Sequence, residues 1–161
     1  MIRTNKGTGL VEVLVATFIF SIILSALITA SNSYFSNSED SLKSEQAAYL
    51  AEDGVEAVKT IRDISWTNIS SLSTTTNYYL YLDLSSSTNV LWRATTTATS
   101  SNPSFTRVLR LADVQRDVNG RIVSSGGTVD PKSKQVTVSL TWLAKSGTTT
   151  KSIVTYVTSA I

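Results

Sequence analysis

The first part of the fold is decided by residues 10–30, LVEVLVATFIFSIILSALITA. This run of 21 residues contains a single charged side chain, Glu12. As an α-helix with a rise of ~1.5 Å per residue, the run would be about 31 Å long, which matches the ~30 Å hydrocarbon core of a bilayer. We therefore predict that this segment is a membrane-spanning helix.

Glu12 lies close to the start of the apolar run, where a charge is costly. An acidic side chain at the centre of a membrane helix costs roughly 2.5–3.5 kcal/mol, and less near the interface. Two interpretations remain open. The carboxylate reaches out of the membrane at the interface, or it is kept because it pairs with a cation inside the membrane or inside an assembly.

Small hydroxyl side chains recur at every fourth position inside the same run, at Thr17, Ser21, Ser25 and Thr29. Side chains spaced in this way lie on one face of a helix. Small residues allow membrane helices to approach each other closely, which favours a helix-packing face. The alternative is that each hydroxyl bonds to a backbone carbonyl of its own helix.

The residues before the run carry a second signal. The chain begins MIRTNKG, with Arg3, Lys6 and Gly7, and continues with Thr8 and Gly9 into the apolar segment. This N-terminus resembles that of a type IV prepilin, in which a short basic leader ends in Gly and Glu is the fifth residue of the mature chain. The stretch from Glu12 to Ala16 is most similar to PilV-like minor pilins and to the I-type minor pseudopilins of type II secretion.

The resemblance implies a processing step and an assembly contact. A prepilin peptidase would cut between Gly7 and Thr8, and the new amino group of Thr8 is a candidate for N-methylation. Glu12 would then form a salt bridge with the amino group of Thr8 in a neighbouring subunit. Two positions depart from the family pattern, because Thr8 stands where Phe is usual and Gly9 stands where Thr is usual.

The resemblance also implies partners and a location. The partners would be other pilin or pseudopilin subunits, the prepilin peptidase, an inner-membrane assembly platform and, before assembly, the lipid bilayer. The protein would be a single-pass protein of a bacterial cytoplasmic membrane with its globular domain outside, and an extracellular filament component after assembly.

Charge agrees with this orientation. Loss of Arg3 and Lys6 would reduce the 14 basic side chains to 12, equal to the 12 acidic ones. The balance argues against a nucleic-acid-binding domain, which needs a basic face. Basic residues before a membrane helix favour the cytoplasmic side.

Apolar residues resume at helical spacing after the membrane segment, from Leu42 to Ile61. We predict a leader at 1–7, a membrane or filament-core helix at 8–30, an amphipathic continuation at 31–64 and a Ser/Thr-rich β domain at 65–161. Alternating patterns and turn signals predict strands at 78–84, 90–93, 105–114, 136–142 and 153–157. A turn at 85–89 would pair the first two strands, Asn119-Gly120 would form a hairpin turn, and the last two strands would pair as an antiparallel hairpin. Loops are expected at 95–104 and 124–131. The expected fold is α+β, with a long helix packed on a small antiparallel sheet.

The chain contains no Cys and no His, which removes thiol chemistry, the usual zinc sites and the commonest general base. We therefore expect no enzyme, cofactor or metal site. The carboxylates Glu52, Asp53 and Glu56 indicate a solvated helix face with Lys59 and Arg62 nearby. Two weaker candidates are a calcium loop at 115–120, which competes with a plain hairpin turn, and an aromatic surface whose members are better explained as core residues: Trp66, Trp92, Trp142, Tyr78, Tyr79 and Tyr81.

The favoured function is a minor pilin, a structural subunit of a type IV pilus or related filament. The first alternative is a minor pseudopilin of a type II secretion system. The second is a signal-anchored surface protein whose globular domain binds a ligand.

Overall fold

The computed structural model describes residues 8–85, 90–99, 102–145 and 147–159. Within these ranges the chain forms two helices and six strands: α1 (Thr8–Ile64), α2 (Thr67–Ser70), β1 (Tyr79–Asp83), β2 (Leu91–Thr95), β3 (Thr106–Arg116), β4 (Ile122–Val123), β5 (Thr128–Ala144) and β6 (Gly147–Thr158). The expected α+β fold, with a long N-terminal helix and small antiparallel sheets, is confirmed. The short helix α2 was not predicted.

The chain divides into two compact units, with the boundary between Leu42 and Lys43. In the first unit, the large apolar side chains of α1 are exposed, for example Leu10 at 67 %, Phe18 at 68 % and Leu27 at 67 %. Among the described residues α1 is the one helix long and apolar enough to cross a membrane. Such exposure in water would be unfavourable, since burying one side chain of this kind is worth ~1.5–3 kcal/mol.

In the second unit, the last part of α1 packs on the sheets. Buried residues recur on it at three- and four-residue spacing, at Ala47, Ala51, Val55, Val58 and Ile61. Their spacing places them on one face of the helix. They pack in a single cluster with sheet residues that include Leu109, Val136, Val138 and Leu140.

The strands form two antiparallel sheets, a two-stranded one in the order β1-β2 and a four-stranded one in the order β4-β3-β5-β6. Tyr78 and Leu109 join the two sheets through reciprocal backbone hydrogen bonds of 2.9 and 2.8 Å. One buried cluster therefore contains residues from both sheets, although the strands form two separate sheets.

The predicted hairpins are confirmed. β1 pairs with β2, β3 with β4 and β5 with β6. Gly120, in the turn between β3 and β4, has a φ of +77°, which glycine adopts without a steric penalty. Of the predicted turn at 85–89, residues 86–89 lie outside the described residues.

The predicted loop at 124–131 is wrong at its end, because β5 already begins at Thr128. The ladder between β3 and β5 is interrupted there: Asp113 pairs with Lys134, whereas Gln115 pairs with Val129. Residues 130–133 therefore bulge out opposite a single residue of β3. Proline occurs in strands mainly at edges and bulges. Pro131 therefore indicated a loop in the sequence, although the strand continues on both sides of it.

Candidate functional site

Glu12 lies near the start of α1, four residues after Thr8, and its side chain is exposed. Residues four apart on a helix lie on the same face, one turn from each other. Glu12 therefore lies on the same face of α1 as Thr8, one turn further along the helix. Within residues 8–85, 90–99, 102–145 and 147–159, no salt bridge includes Glu12.

Gly7, the residue before the predicted cleavage point, lies outside the described residues. Thr8 is the first residue of α1. The cleavage, the N-methylation of Thr8 and the salt bridge of Glu12 stay predictions.

The hydroxyls of the predicted packing face donate to carbonyls of their own helix. Ser21 Oγ donates to Thr17 O at 2.8 Å, Ser25 Oγ to Ile22 O at 2.9 Å and Thr29 Oγ1 to Ser25 O at 2.9 Å. Thr17 Oγ1 lies 3.0 Å from Val13 O and 2.9 Å from Leu14 O. These bonds satisfy the hydroxyls without a second helix. The side chains on this face are therefore small, and each of these hydroxyls already has a hydrogen-bond acceptor within α1. The packing of this face against another helix stays a prediction.

The acidic cluster of α1 lies on an exposed helix face, as the sequence predicts. Glu56 pairs with Lys59 at 2.6 Å on this side. The Asp53 side chain is 50 % exposed, but it has a partner that was not predicted: its Oδ2 accepts a 2.6 Å hydrogen bond from Nη1 of Arg107, on β3. The Arg107 side chain is only 9 % exposed, and it also donates to Leu50 O at 3.2 Å. Through Asp53, this cluster therefore holds the helix against the sheet. Its carboxylates are not arranged for acid–base chemistry.

The bulge in β5 is held by a second arginine contact, which is half-buried. Asp130 Oδ2 accepts hydrogen bonds from Ser133 Oγ at 2.7 Å and from Arg116 Nε at 2.6 Å. Asp130 Oδ1 accepts one from the Lys132 backbone N–H at 2.9 Å. These donors, with the Ser133 hydroxyl first, lower the pKa of Asp130 from 3.8 to about 2. The carboxylate stays ionised and fixes the shape of the bulge.

Residues 117–120 form the plain hairpin turn, and Gln115 and Arg116 are the last residues of β3. Asp117 Oδ1 accepts hydrogen bonds from the backbone N–H groups of Asn119 and Arg121, both at 2.8 Å. Arg116 Nη1 donates to Gly120 O at 2.9 Å, so a guanidinium lies against a carbonyl of this turn. The oxygens of this segment therefore cap the turn. No cluster of three or more acidic residues suited to a metal ion occurs in the described part of the chain.

Four of the six aromatic residues belong to the core or pack against it, as the sequence favoured: Tyr78 and Trp142 are buried, and Trp66 and Trp92 pack against the core cluster. Trp142 is 6 % exposed and packs on Phe105 with ring centroids 5.9 Å apart. Trp92 lies under the Arg107 guanidinium, which is 5.2 Å from its ring centroid. Trp66 Nε1 donates to Pro131 O at 3.3 Å. These three rings stabilise the core, the arginine contact and the bulge.

Comparison of the chain with protein-family models, with curated proteins and with solved structures finds no match. The fold supports the resemblance to pilins at the level of architecture. A long apolar N-terminal helix and a small antiparallel sheet that packs on the last part of the same helix are pilin-like.

Proposed function

We propose that the protein is a pilin-like structural subunit, made as a membrane-anchored precursor, trimmed after Gly7 and assembled into a filament through the apolar part of α1. The observation that carries this proposal is the composition of α1. One uninterrupted helix, Thr8–Ile64, is apolar and exposed in its first part and buries a small-residue stripe against a sheet in its last part.

The exposed apolar part requires a surrounding medium other than water. A bilayer supplies it for the precursor, and the same segments of neighbouring subunits supply it in a filament. A single carboxylate in such a segment is tolerated when it finds a cation, since an ionised group alone in a low-dielectric environment is costly. The amino group of Thr8, freed by cleavage, is the cation we assign to Glu12.

A minor subunit, rather than the main one, is proposed because the stretch from Glu12 to Ala16 resembles the minor pilins. The same resemblance keeps a pseudopilin of a secretion system as the second candidate. The two differ in partner genes and in the filament built, whereas the membrane anchor, the cleavage and the salt bridge are common to both.

Mass spectrometry of the N-terminus of protein recovered from surface filaments tests the proposal. The expected product begins at Thr8, with or without one added methyl group. A Gly7→Val variant should keep residues 1–7 and remain in the membrane fraction. Recovery of filaments whose subunits retain Met1 would overturn the trimming step, and absence of the protein from any filament would overturn the assembly.

A further inference from the structure

A groove with a volume of about 230 Å³ runs along one side of the globular unit. One wall is formed by Ile61 and Ile64, near the end of α1, and continues with Asn68 and Leu72 in and after α2. The opposite wall is formed by residues 91–94, which belong to β2. The groove therefore separates a helical wall from a strand.

The strand presents its edge to the groove. Residues 91–94 are consecutive, and consecutive side chains of a strand point to opposite faces of the sheet. All of them line one groove because the edge of the strand, and not one face, borders it. β2 pairs with β1 along its other edge, and no further strand pairs with β2 in the part of the chain that the structure describes. A free edge offers backbone N–H and C=O groups at every second residue.

The walls favour an uncharged occupant. Ile64 is 51 % exposed, which is high for a large apolar residue beside a concave surface. Arg93 is the charged residue among the lining residues, and its Nε lies 2.5 Å from Asp83 Oδ2. The pair is neutral as a whole, so the groove does not select an acidic or a basic ligand.

We propose that the groove binds a short, extended, uncharged segment of a partner protein, which adds to β2 as a third strand. Strand addition supplies main-chain hydrogen bonds to the free edge, and alternate side chains of the added segment contact the helical wall. A groove bordered by four strand residues is ~13 Å long and accommodates about four residues of the segment. The proposal requires only the globular unit, so it does not depend on filament assembly.

A displayed library of random octapeptides, selected against the full chain in nanodiscs, tests this site. Ile64→Lys places a charge in the groove at a half-exposed position, and Ile64→Ser is the milder second variant. Leu143→Lys is the matched control, because Leu143 is a similarly apolar side chain, 73 % exposed, on β5. Enriched peptides are resynthesised with N-methyl groups at alternate residues, which removes the N–H donors that a strand needs.

The expected result is enrichment of uncharged peptides whose affinity falls at least about tenfold in both Ile64 variants and on N-methylation, but not in Leu143→Lys. Amide hydrogen exchange of the wild-type chain should slow across residues 91–94 when peptide is bound. An absence of enriched peptides would overturn the proposal. Equal binding of the N-methylated peptides, or equal binding to the Ile64 variants, would also overturn it, because the ligand would then be elsewhere or not a strand.

Discussion

Nη1 of Arg107 lies 2.6 Å from Oδ2 of Asp53, and this contact joins β3 to the last part of α1. The two partners differ in exposure: the Arg107 side chain is 9 % exposed and the Asp53 side chain 50 %. The charge that depends on the contact is therefore the guanidinium, since the carboxylate can be hydrated without it. This asymmetry decides which substitution is the more harmful.

We expect Asp53→Asn to destabilise the fold more than Arg107→Met does. The Asn variant leaves a buried guanidinium without its counter-charge, which costs about 1–3 kcal/mol for an unsatisfied buried group. The Met variant keeps the apolar contact with Trp92 and releases a carboxylate that water reaches. Denaturant titration of the full chain in detergent micelles, followed by tryptophan fluorescence, measures both values.

Glu56→Gln is the matched control on the same helix. It removes the exposed pair with Lys59, whose two side chains are 68 % and 43 % exposed. Pairs of this kind contribute about 0–1 kcal/mol. If Asp53→Asn proved no more destabilising than Glu56→Gln, the buried contact would contribute little to the stability of the fold.

The sequence predicted α1, the three hairpins and the antiparallel sheets, because those elements depend on local periodicity and turn chemistry. It did not predict the partner of Asp53, since a contact between positions 53 and 107 depends on how the helix lies on the sheet. One signal was present: Arg107 has the same parity along β3 as Leu109 and Leu111, which are buried. An arginine at a core-facing position of a strand needs a carboxylate, and the nearby helix offers one.

The candidate site near the N-terminus was predictable for the opposite reason. Glu12 is recognised by its position in an apolar run, which is a property of the sequence alone. The partner that we propose for it belongs to another molecule, so a single chain contains no geometry for it. The bulge at residues 130–133 was not predicted for a third reason: Pro131 and Gly127 indicate a loop, whereas β5 runs from Thr128 to Ala144.

Gly54→Ala should destabilise the fold even though alanine is the better helix former. A Cβ at position 54 would lie 2.8 Å from Val138 Cγ1 and 3.1 Å from Arg107 Cδ. Overpacking of this kind costs about 1–3 kcal/mol, which exceeds the gain of ~1 kcal/mol in helix propensity. The double variant Gly54→Ala/Val138→Ala removes the clash, so a double-mutant cycle should show that Val138→Ala costs less in the Gly54→Ala background. Additive losses would mean that helix and sheet do not approach as closely as the structure places them.

Asp130 should make stability depend on pH in the acid range. Its pKa is lowered from 3.8 to about 2, first by the Ser133 hydroxyl and then by Arg116. The unfolded chain therefore binds this proton at a higher pH than the folded chain, and stability from this group is complete above about pH 4 and is lost as the pH falls toward 2. Thermal unfolding between pH 2 and 5 should show a flatter profile for Asp130→Asn.

Ser133→Ala provides the control for that profile. It removes the leading donor and should raise the pKa of Asp130 toward its ordinary value, while Arg116 and the backbone N–H of Lys132 remain. The loss of stability at acid pH should then begin and end within a narrower range of pH. An unchanged profile in both variants would contradict the assignment of Asp130 as the group responsible.

Substitution of Ser25 separates the two interpretations of the small-residue face. Ser25→Ala removes a hydroxyl that bonds within α1, and we expect no change in membrane insertion or in incorporation into filaments. Ser25→Leu keeps the segment apolar but blocks a close approach by a second helix, so incorporation should fall. Quantitative immunoblotting of sheared filaments, normalised to the membrane pool, measures the difference. Equal incorporation of the Leu variant would exclude this face from the helix contact.

Glu12→Gln and Glu12→Ala address the charge at the start of α1. Both variants remove a carboxylate from an apolar segment, so insertion into the membrane should be as efficient as in the wild type, or more so. Incorporation into filaments should fall in both, because neither side chain neutralises the amino group of Thr8 in a neighbouring subunit. Glu12→Asp keeps the charge and is the matched control, with an intermediate or wild-type level expected. Cleavage of the precursor is measured in parallel by mass spectrometry, since loss of processing would lower incorporation for a different reason. If the Gln variant were processed and incorporated at the wild-type level, Glu12 would be an interfacial charge that reaches toward water, and the salt bridge between subunits would not exist.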